Sequence, residues 1–297
     1  MFSRFGIEFL VALLQFFGST LGDFDVHLAR RALDFAAASY SEDPWKCVGK
    51  YNGTVMFRTA IPCDWLKDEC WAIVTNDTEW VTVAFSGTRS RWQLFLELFE
   101  TMGEPKKKLR CGGSVQHYFF IALQSIWPSM EHALRKILKT RTSRNVLFTG
   151  HSLGGALTAI ASTTFAFRHP SVNVSMYTFG EPRVGNAEFA AAHDRLVEES
   201  WRVVHRRDLV AHIPYCYEHL WSRSCGQLAN HGPWHHGTEV WFPGNMTNGG
   251  LYRICRGTPL NEDDTCSNSA YLRFNIDDHR YYFEKEVSTH GDLGCPE

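Results

Sequence analysis

The stretch Asn145-Val-Leu-Phe-Thr-Gly150-His-Ser152-Leu-Gly154-Gly-Ala-Leu-Thr-Ala-Ile-Ala161 decides the fold. Val146 to Phe148 is a short apolar run that reads as a buried strand. Gly155 to Phe167 is a helix built of small residues. Between them, Gly150-His-Ser152-Leu-Gly154 matches G-x-S-x-G, a strand-to-helix elbow that holds a serine at the strand tip in a strained backbone. Side chains two residues either side of the serine would collide, which explains Gly150 and Gly154. Gly155, Ala156 and Ala159 let the helix lie close to the sheet. The helix N-terminus also places partial positive charge beside the Ser152 hydroxyl, where an oxyanion would form. In another setting the same pentapeptide is a glycine-rich turn with a capping serine; the flanking strand and helix argue for a nucleophile.

Working outward, strand and helix patterns alternate from about residue 70 to residue 210. Trp71–Val74 and Val81–Phe85 read as strands around the polar turn Asn76–Glu79. Ser114–Lys139 reads as a long amphipathic helix, and Ser175–Phe179 and Trp201–His205 as further strands. Thr238–Phe242 and Leu251–Cys255 read as the last strands. Asp23–Tyr40 opens the chain as a helix, and Ser269–Phe283 leads into a closing one. This pattern implies a mostly parallel sheet covered by helices on both faces. No repeat, low-complexity tract or linker divides the chain, so a single domain over residues 23–297 is expected.

The chain has 297 residues, 30 Lys plus Arg against 32 Asp plus Glu, and a net charge of −2. That balance carries no nucleic-acid footprint, and 44% apolar residues supply a sizeable core. Arg4, the apolar run Phe9–Phe17 and the small residues Ser19 to Gly22 read as a secretory signal peptide over residues 1–22, although Glu8 is a charge at its edge. The run is too short to span a membrane, and no later stretch is long enough. Four N-x-S/T sequons, at Asn52, Asn76, Asn173 and Asn245, fit a secreted chain. So do nine cysteines, twice the usage expected of an ordinary cytosolic enzyme. Cys63 with Cys70, Cys216 with Cys225, and Cys255 with Cys266 are short-range pairs. No C-x-x-C pair exists, which leaves zinc ribbons and thioredoxin-type sites without support.

A serine hydroxyl needs a base to take its proton. After an elbow of this type the chain order is Ser, then an acid, then His. Asp208 follows the strand Trp201–Val204 in a strand-end loop, where the acid belongs. Spacing alone equally allows a solvated aspartate paired with Arg206 or Arg207. Seven histidines follow: His212, His219, His231, His235, His236, His279 and His290. His212 shares the loop of Asp208, and His290 lies in the polar tail. Position favours His279, but the residues alone do not separate it from His235 and His236.

Six blocks carry a family resemblance: Phe85–Ser90, Gly150–Ala156, Tyr177–Asn186, Arg207–Pro214, Gly237–Trp241 and Asp278–Phe283. Together, in this order, they resemble the class 3 (fungal-type) triacylglycerol lipase family of the α/β-hydrolases. The resemblance implies a triad of Ser152, Asp208 and His279. It implies an oxyanion hole made by the backbone N–H groups of Thr88 and Leu153, and it implies no metal or cofactor. The chain departs from the family at Ser86, usually Arg, and at Glu181, often Gln. Ser90–Met102 follows Thr88 with Trp92, Phe95, Leu96, Phe99 and Met102 on one helical face. Such a stripe is commonly core; in similar lipases this segment is the helical lid, whose apolar face covers the serine in water and turns toward lipid at an interface. Lys106–Lys108 and Arg110 beyond it suit an anionic lipid surface. The family often joins its chain ends, which implies a Cys47–Cys295 bridge. With the three short pairs also bridged, Cys111 is left over.

The expected function is therefore secreted hydrolysis of acylglycerol esters at a lipid–water interface. A phospholipase or another carboxylesterase on the same fold is the rival enzyme, and an inactive lipid-binding protein is the rival from another class.

Overall fold

The computed structural model describes residues 23–63, 69–88, 107–216, 225, 232–256, 261–270 and 273–297. The leader assigned to residues 1–22 lies outside them. So do the lid residues Trp92, Phe95, Leu96 and Phe99, and the candidates His219 and His231.

Helix α1, Val26–Ala38, begins where the Asp25 carboxylate accepts from the amides of His27 (2.8 Å) and Leu28 (3.1 Å), a side-chain N-cap. A short α2, Trp45–Gly49, follows. Strands β1 (Thr54–Pro62), β2 (Glu69–Asn76) and β3 (Val81–Phe85) come next. The small hairpin β4 (Lys107–Lys108) and β5 (Ser114–Val115) leads to α3, His117–Leu138. Then β6 (Asn145–His151), α4 (Leu153–Arg168), β7 (Asn173–Phe179), α5 (Ala187–Leu196) and β8 (Glu199–His205) alternate. Strands β9 (Thr238–Phe242) and β10 (Arg253–Cys255) close the sheet. A one-turn α6 (Asp277–Arg280), the hairpin β11 (Tyr281–Tyr282) and β12 (Lys285–Glu286), and α7 (Val287–Asp292) end the chain.

The eight-stranded sheet has the order β1-β2-β3-β6-β7-β8-β9-β10. Its centre, β3-β6-β7-β8-β9, is parallel, and its two edges are antiparallel. The α/β-hydrolase fold expected from the sequence is present. Period-two alternation divides the core: Val74, Val83, Phe148 and Met176 face α3 and α4, whereas Ile73, Ala84, Leu147 and Tyr177 face α1. Helices therefore cover both faces. Because the central strands run in parallel, their carboxyl ends share one edge, the usual place for a site in such a sheet.

Several element boundaries differ from the sequence reading. The long helix starts at His117, because Ser114–Val115 pairs with Lys107–Lys108 and the Ser114 amide is held by Asn186 Oδ1 at 2.9 Å. β1 was not expected; it is an edge strand with no buried residue, so it lacks an alternating apolar signal. Ser269–Phe283 leads, as expected, into a closing helix, Val287–Asp292, with a hairpin in between. His290 is not in a solvated tail. It is buried, with Nε2 at 2.7 Å from the Asp34 carboxylate, which ties α7 to α1.

Disulfides join Cys47–Cys295, Cys63–Cys70, Cys216–Cys225 and Cys255–Cys266, and Cys111 is a free, half-buried thiol. Among the described residues no helix is long and apolar enough to cross a membrane.

Candidate active site

Strand β6 carries its apolar residues through the core and delivers His151 and Ser152 to the carboxyl edge. Ser152 has φ 61° and ψ −130°, a positive φ that costs a residue with a side chain on the order of 1–3 kcal/mol. The turn closes so tightly that a Cβ on Gly150 would sit 2.3 Å from the Gly154 carbonyl oxygen, and one on Gly154 would sit 2.1 Å from that of Phe85. Leu153 is the first residue of α4, so its N–H has no partner within the helix. Thr88 arrives from the end of β3. The neighbouring Gly87 lies so near the elbow that a Cβ there would be 2.9 Å from Cβ of Ser152.

Asp208 follows β8 and is fully buried. It is not a solvated partner of Arg206 or Arg207. Its Oδ2 and Oδ1 lie 2.9 Å and 3.0 Å from Nδ1 of His279. The Val210 amide donates to Oδ1 at 2.8 Å, and the Tyr282 hydroxyl donates to Oδ2. Burial by itself would raise the Asp208 carboxyl, but His279 and the Tyr282 hydroxyl outweigh it and hold the group down to about 2. An ionised Asp208 keeps the proton on Nδ1 of His279 and leaves Nε2 free to act as a base. Gly180, at φ 58°, makes room for this pair: a Cβ there would be 2.5 Å from Oδ2 of Asp208 and 2.6 Å from Nδ1 of His279.

His279 sits on α6 and stacks on His151, with ring centroids 4.5 Å apart. Burial, and the nearby His279, push His151 down to about 3, so its ring is neutral. With one ring proton, the consistent arrangement is a donation from Nε2 of His151 to the His279 carbonyl (2.8 Å) and from the Tyr40 hydroxyl to Nδ1 (2.8 Å). That chain runs from α1 through the elbow to the backbone of His279. Ser152 Oγ, His279 Nε2 and Thr88 Oγ1 are each buried with no hydrogen-bond partner among the described residues. Other buried polar atoms, such as the hydroxyls of Thr75, Thr82 and Thr178, lack a partner as well, but these three share one sheet edge. The Thr88 hydroxyl therefore holds no described loop atom.

The other histidines go elsewhere. His212 bonds the Asp208 carbonyl through Nδ1 at 2.7 Å. His235 lies between the Ala211 carbonyl (2.9 Å) and Glu262 (3.0 Å). His236 stands 2.9 Å from Glu181, the residue at the family's usual Gln position, so that departure comes with a buried acid–imidazole pair. Arg183 clamps the loop after Asp208, donating to the carbonyls of His212 (2.6 Å) and Pro214 (3.1 Å) while both Glu262 oxygens receive its Nε and Nη2. The sequence reading missed Tyr282, Tyr40, Gly180 and Glu262. Gly180, at a strand end, carried a usable signal for close approach; the other three carried none. Among the described residues three groups of side chains are near enough to share a metal ion, but each includes a cysteine whose sulfur is committed to a disulfide.

Residues 82–218 match the family model of lipase (class 3). A lipase of Caenorhabditis elegans is 35% identical over 94% of this chain and 85% of its own length. A secreted mono- and diacylglycerol lipase of Malassezia globosa is 27% identical over 59% of the chain and 53% of its own. The solved structure of lipase II from Rhizopus niveus superposes with a TM-score of 0.70 at 23% identity, covering 89% of this chain and 98% of that one.

Proposed function

The chain belongs to the class 3 lipase family and is an ester hydrolase of the lipase type; from that premise we propose that Ser152, His279 and Asp208 carry the reaction on acylglycerol esters. His279 Nε2 takes the Ser152 proton as Oγ attacks the ester carbonyl. The N–H groups of Leu153 and Thr88 hold the oxygen that becomes negative, each worth about 3 kcal/mol in comparable sites. Asp208 stabilises the imidazolium, which then protonates the leaving alcohol. Water, deprotonated by the same histidine, releases the fatty acid and restores Ser152.

One observation carries this reading: a fully buried Asp208–His279 pair at the strand edge beside a strained serine, with Ser152 Oγ and His279 Nε2 both lacking partners. A fluorophosphonate probe tests it. Labelling of the wild type, lost in Ser152→Ala together with ester turnover, is expected; equal labelling or turnover in the variant would sink the assignment. A panel of tri-, di- and monoacylglycerols and phospholipids identifies the preferred ester. Partial glycerides belong in it because one relative is named for them. A rate step at the substrate's aggregation point is the result expected of a lid over Ser90–Met102.

Secretion is part of the same reading. A leader over residues 1–22, one mature domain over 23–297, four disulfides, four sequons and a relative named as secreted all support it. Mass spectrometry of the exported chain is expected to find Asp23 at its start and glycan on the exposed Asn52, Asn173 or Asn245.

A further inference from the structure

Strands β8 and β9 end together at the carboxyl edge, two and three strands from the serine. Beyond them lies a surface cavity of about 770 Å³. Its walls include Arg206, Arg207 and Arg273, with Trp241, Ser269 and the bend at Pro243. No Asp or Glu is among its described lining residues. Three separate segments supply it: the loop into Asp208, the turn after β9, and the stretch before α6. Two of these are bonded to each other, since the Asn275 amide donates to the Arg207 carbonyl at 2.8 Å. Its base is set as well, because Trp241 Nε1 donates to the Arg206 carbonyl at 2.8 Å.

The three guanidinium groups differ. Arg206 is already engaged, donating to Asn245 Oδ1 and lying 3.8 Å from the Asp278 carboxylate. The guanidinium groups of Arg207 and Arg273 have no acceptor among the described residues, although the Arg207 amide donates to the Asp278 carboxylate at 3.3 Å. Two guanidinium groups without an acceptor, beside the Ser269 hydroxyl in a cavity whose described lining holds no Asp or Glu, suit a tetrahedral oxyanion, because a guanidinium bonds phosphate oxygens through two parallel N–H groups.

We propose that this cavity is a phosphate-binding site, distinct from the Ser152 centre, that takes a phosphomonoester or phosphodiester group. Two sources share that chemistry: the headgroup of an anionic phospholipid at the surface where the enzyme works, and a free phosphate ester. The proposal does not depend on the triad, and its test reads binding rather than turnover.

The test compares the wild type with Arg207→Gln/Arg273→Gln. Inorganic phosphate and glycerol phosphate are titrated by calorimetry at low ionic strength. Flotation is measured with phosphatidylcholine vesicles, with and without phosphatidic acid. Each neutralised arginine is expected to weaken attachment to the anionic vesicles about fivefold, and the pair roughly twentyfold. Loss in both assays identifies the headgroup as ligand. Loss for soluble phosphate alone identifies the free ester, and loss for vesicles alone again the headgroup. Phosphate and vesicle binding both equal to wild type would overturn the site. Arg207→Lys/Arg273→Lys keeps the charge but not the paired N–H groups, and is expected to bind more weakly than the wild type and more tightly than the Gln pair. Wild-type binding by the Lys pair would mean diffuse charge attraction rather than a built anion contact, and would also overturn the site.

Discussion

At Ser152 two costs meet: a strained φ and a buried hydroxyl with no partner. Both make sense for a side chain whose partner is substrate. The same holds for the residues that shape Asp208. Tyr282→Phe removes one donor from its carboxylate and is expected to raise its pKa from about 2 while leaving it ionised at neutral pH. Turnover should then fall by roughly three- to tenfold with little change in KM, because orientation of His279 rather than substrate binding is weakened. An unchanged kcat would show that Val210 and His279 hold Asp208 without help. Gly180→Ala should be harsher, since its Cβ would meet both Asp208 and His279 at under 3 Å. Loss of turnover without loss of the folded far-ultraviolet spectrum is the expected outcome. Ser152, Gly150 and Gly154 were legible from local sequence because an elbow is a local object. Asp208 and His279 lie 71 residues apart and needed the family resemblance to be selected.

Elements follow the same division. α1 was legible from its apolar spacing, and its cap is in the sequence as Asp25. Asp25→Ala is expected to cost about 1 kcal/mol, read as a shift in the denaturant midpoint with an unchanged slope. What α1 does for the molecule was not legible. Its Asp34 receives His290 (2.7 Å), Lys50 (2.8 Å) and Tyr51 (2.8 Å), and its end supplies Tyr40 to His151. β1 escaped notice because an edge strand without buried positions has no period-two pattern. α5 escaped because it is short and Ala-rich; its start is set by Asn186, whose Oδ1 accepts from Phe189 at 3.1 Å and from Ser114 at 2.9 Å.

For the whole molecule, the buried titratable groups set the response to acid. Burial lowers His151 to about 3 and His212 to about 4, and it also lowers His193, His205 and His235. The folded state refuses protons that the unfolded chain accepts near pH 6.5, so stability falls as pH drops below about 6.5. Asp208 and Asp34, each held down to about 2 by partners that outweigh burial, act in a lower window. Their contribution is complete above about pH 4 and is lost as pH falls toward 2. A thermal midpoint that is level above pH 7 and declines in these two stages is expected; a level profile down to pH 4 would contradict it. The Cys47–Cys295 bridge closes 248 residues and ties α2 to the chain end, so Cys47→Ser/Cys295→Ser should cost about 2–5 kcal/mol, measured by chemical denaturation. The sequence by itself determined what short-range geometry and periodicity encode: the elbow, the parallel centre of the sheet, and the apolar spacing of α1 and α3. Only the tertiary structure decided what depends on contacts between distant segments. It brought Asp208 to His279 rather than to Arg206, buried His290 against Asp34, and gathered Arg206, Arg207 and Arg273 around one cavity. Spacing along the chain sets which residues share an element, whereas the choice of partner follows from where the packed sheet places the ends of its strands.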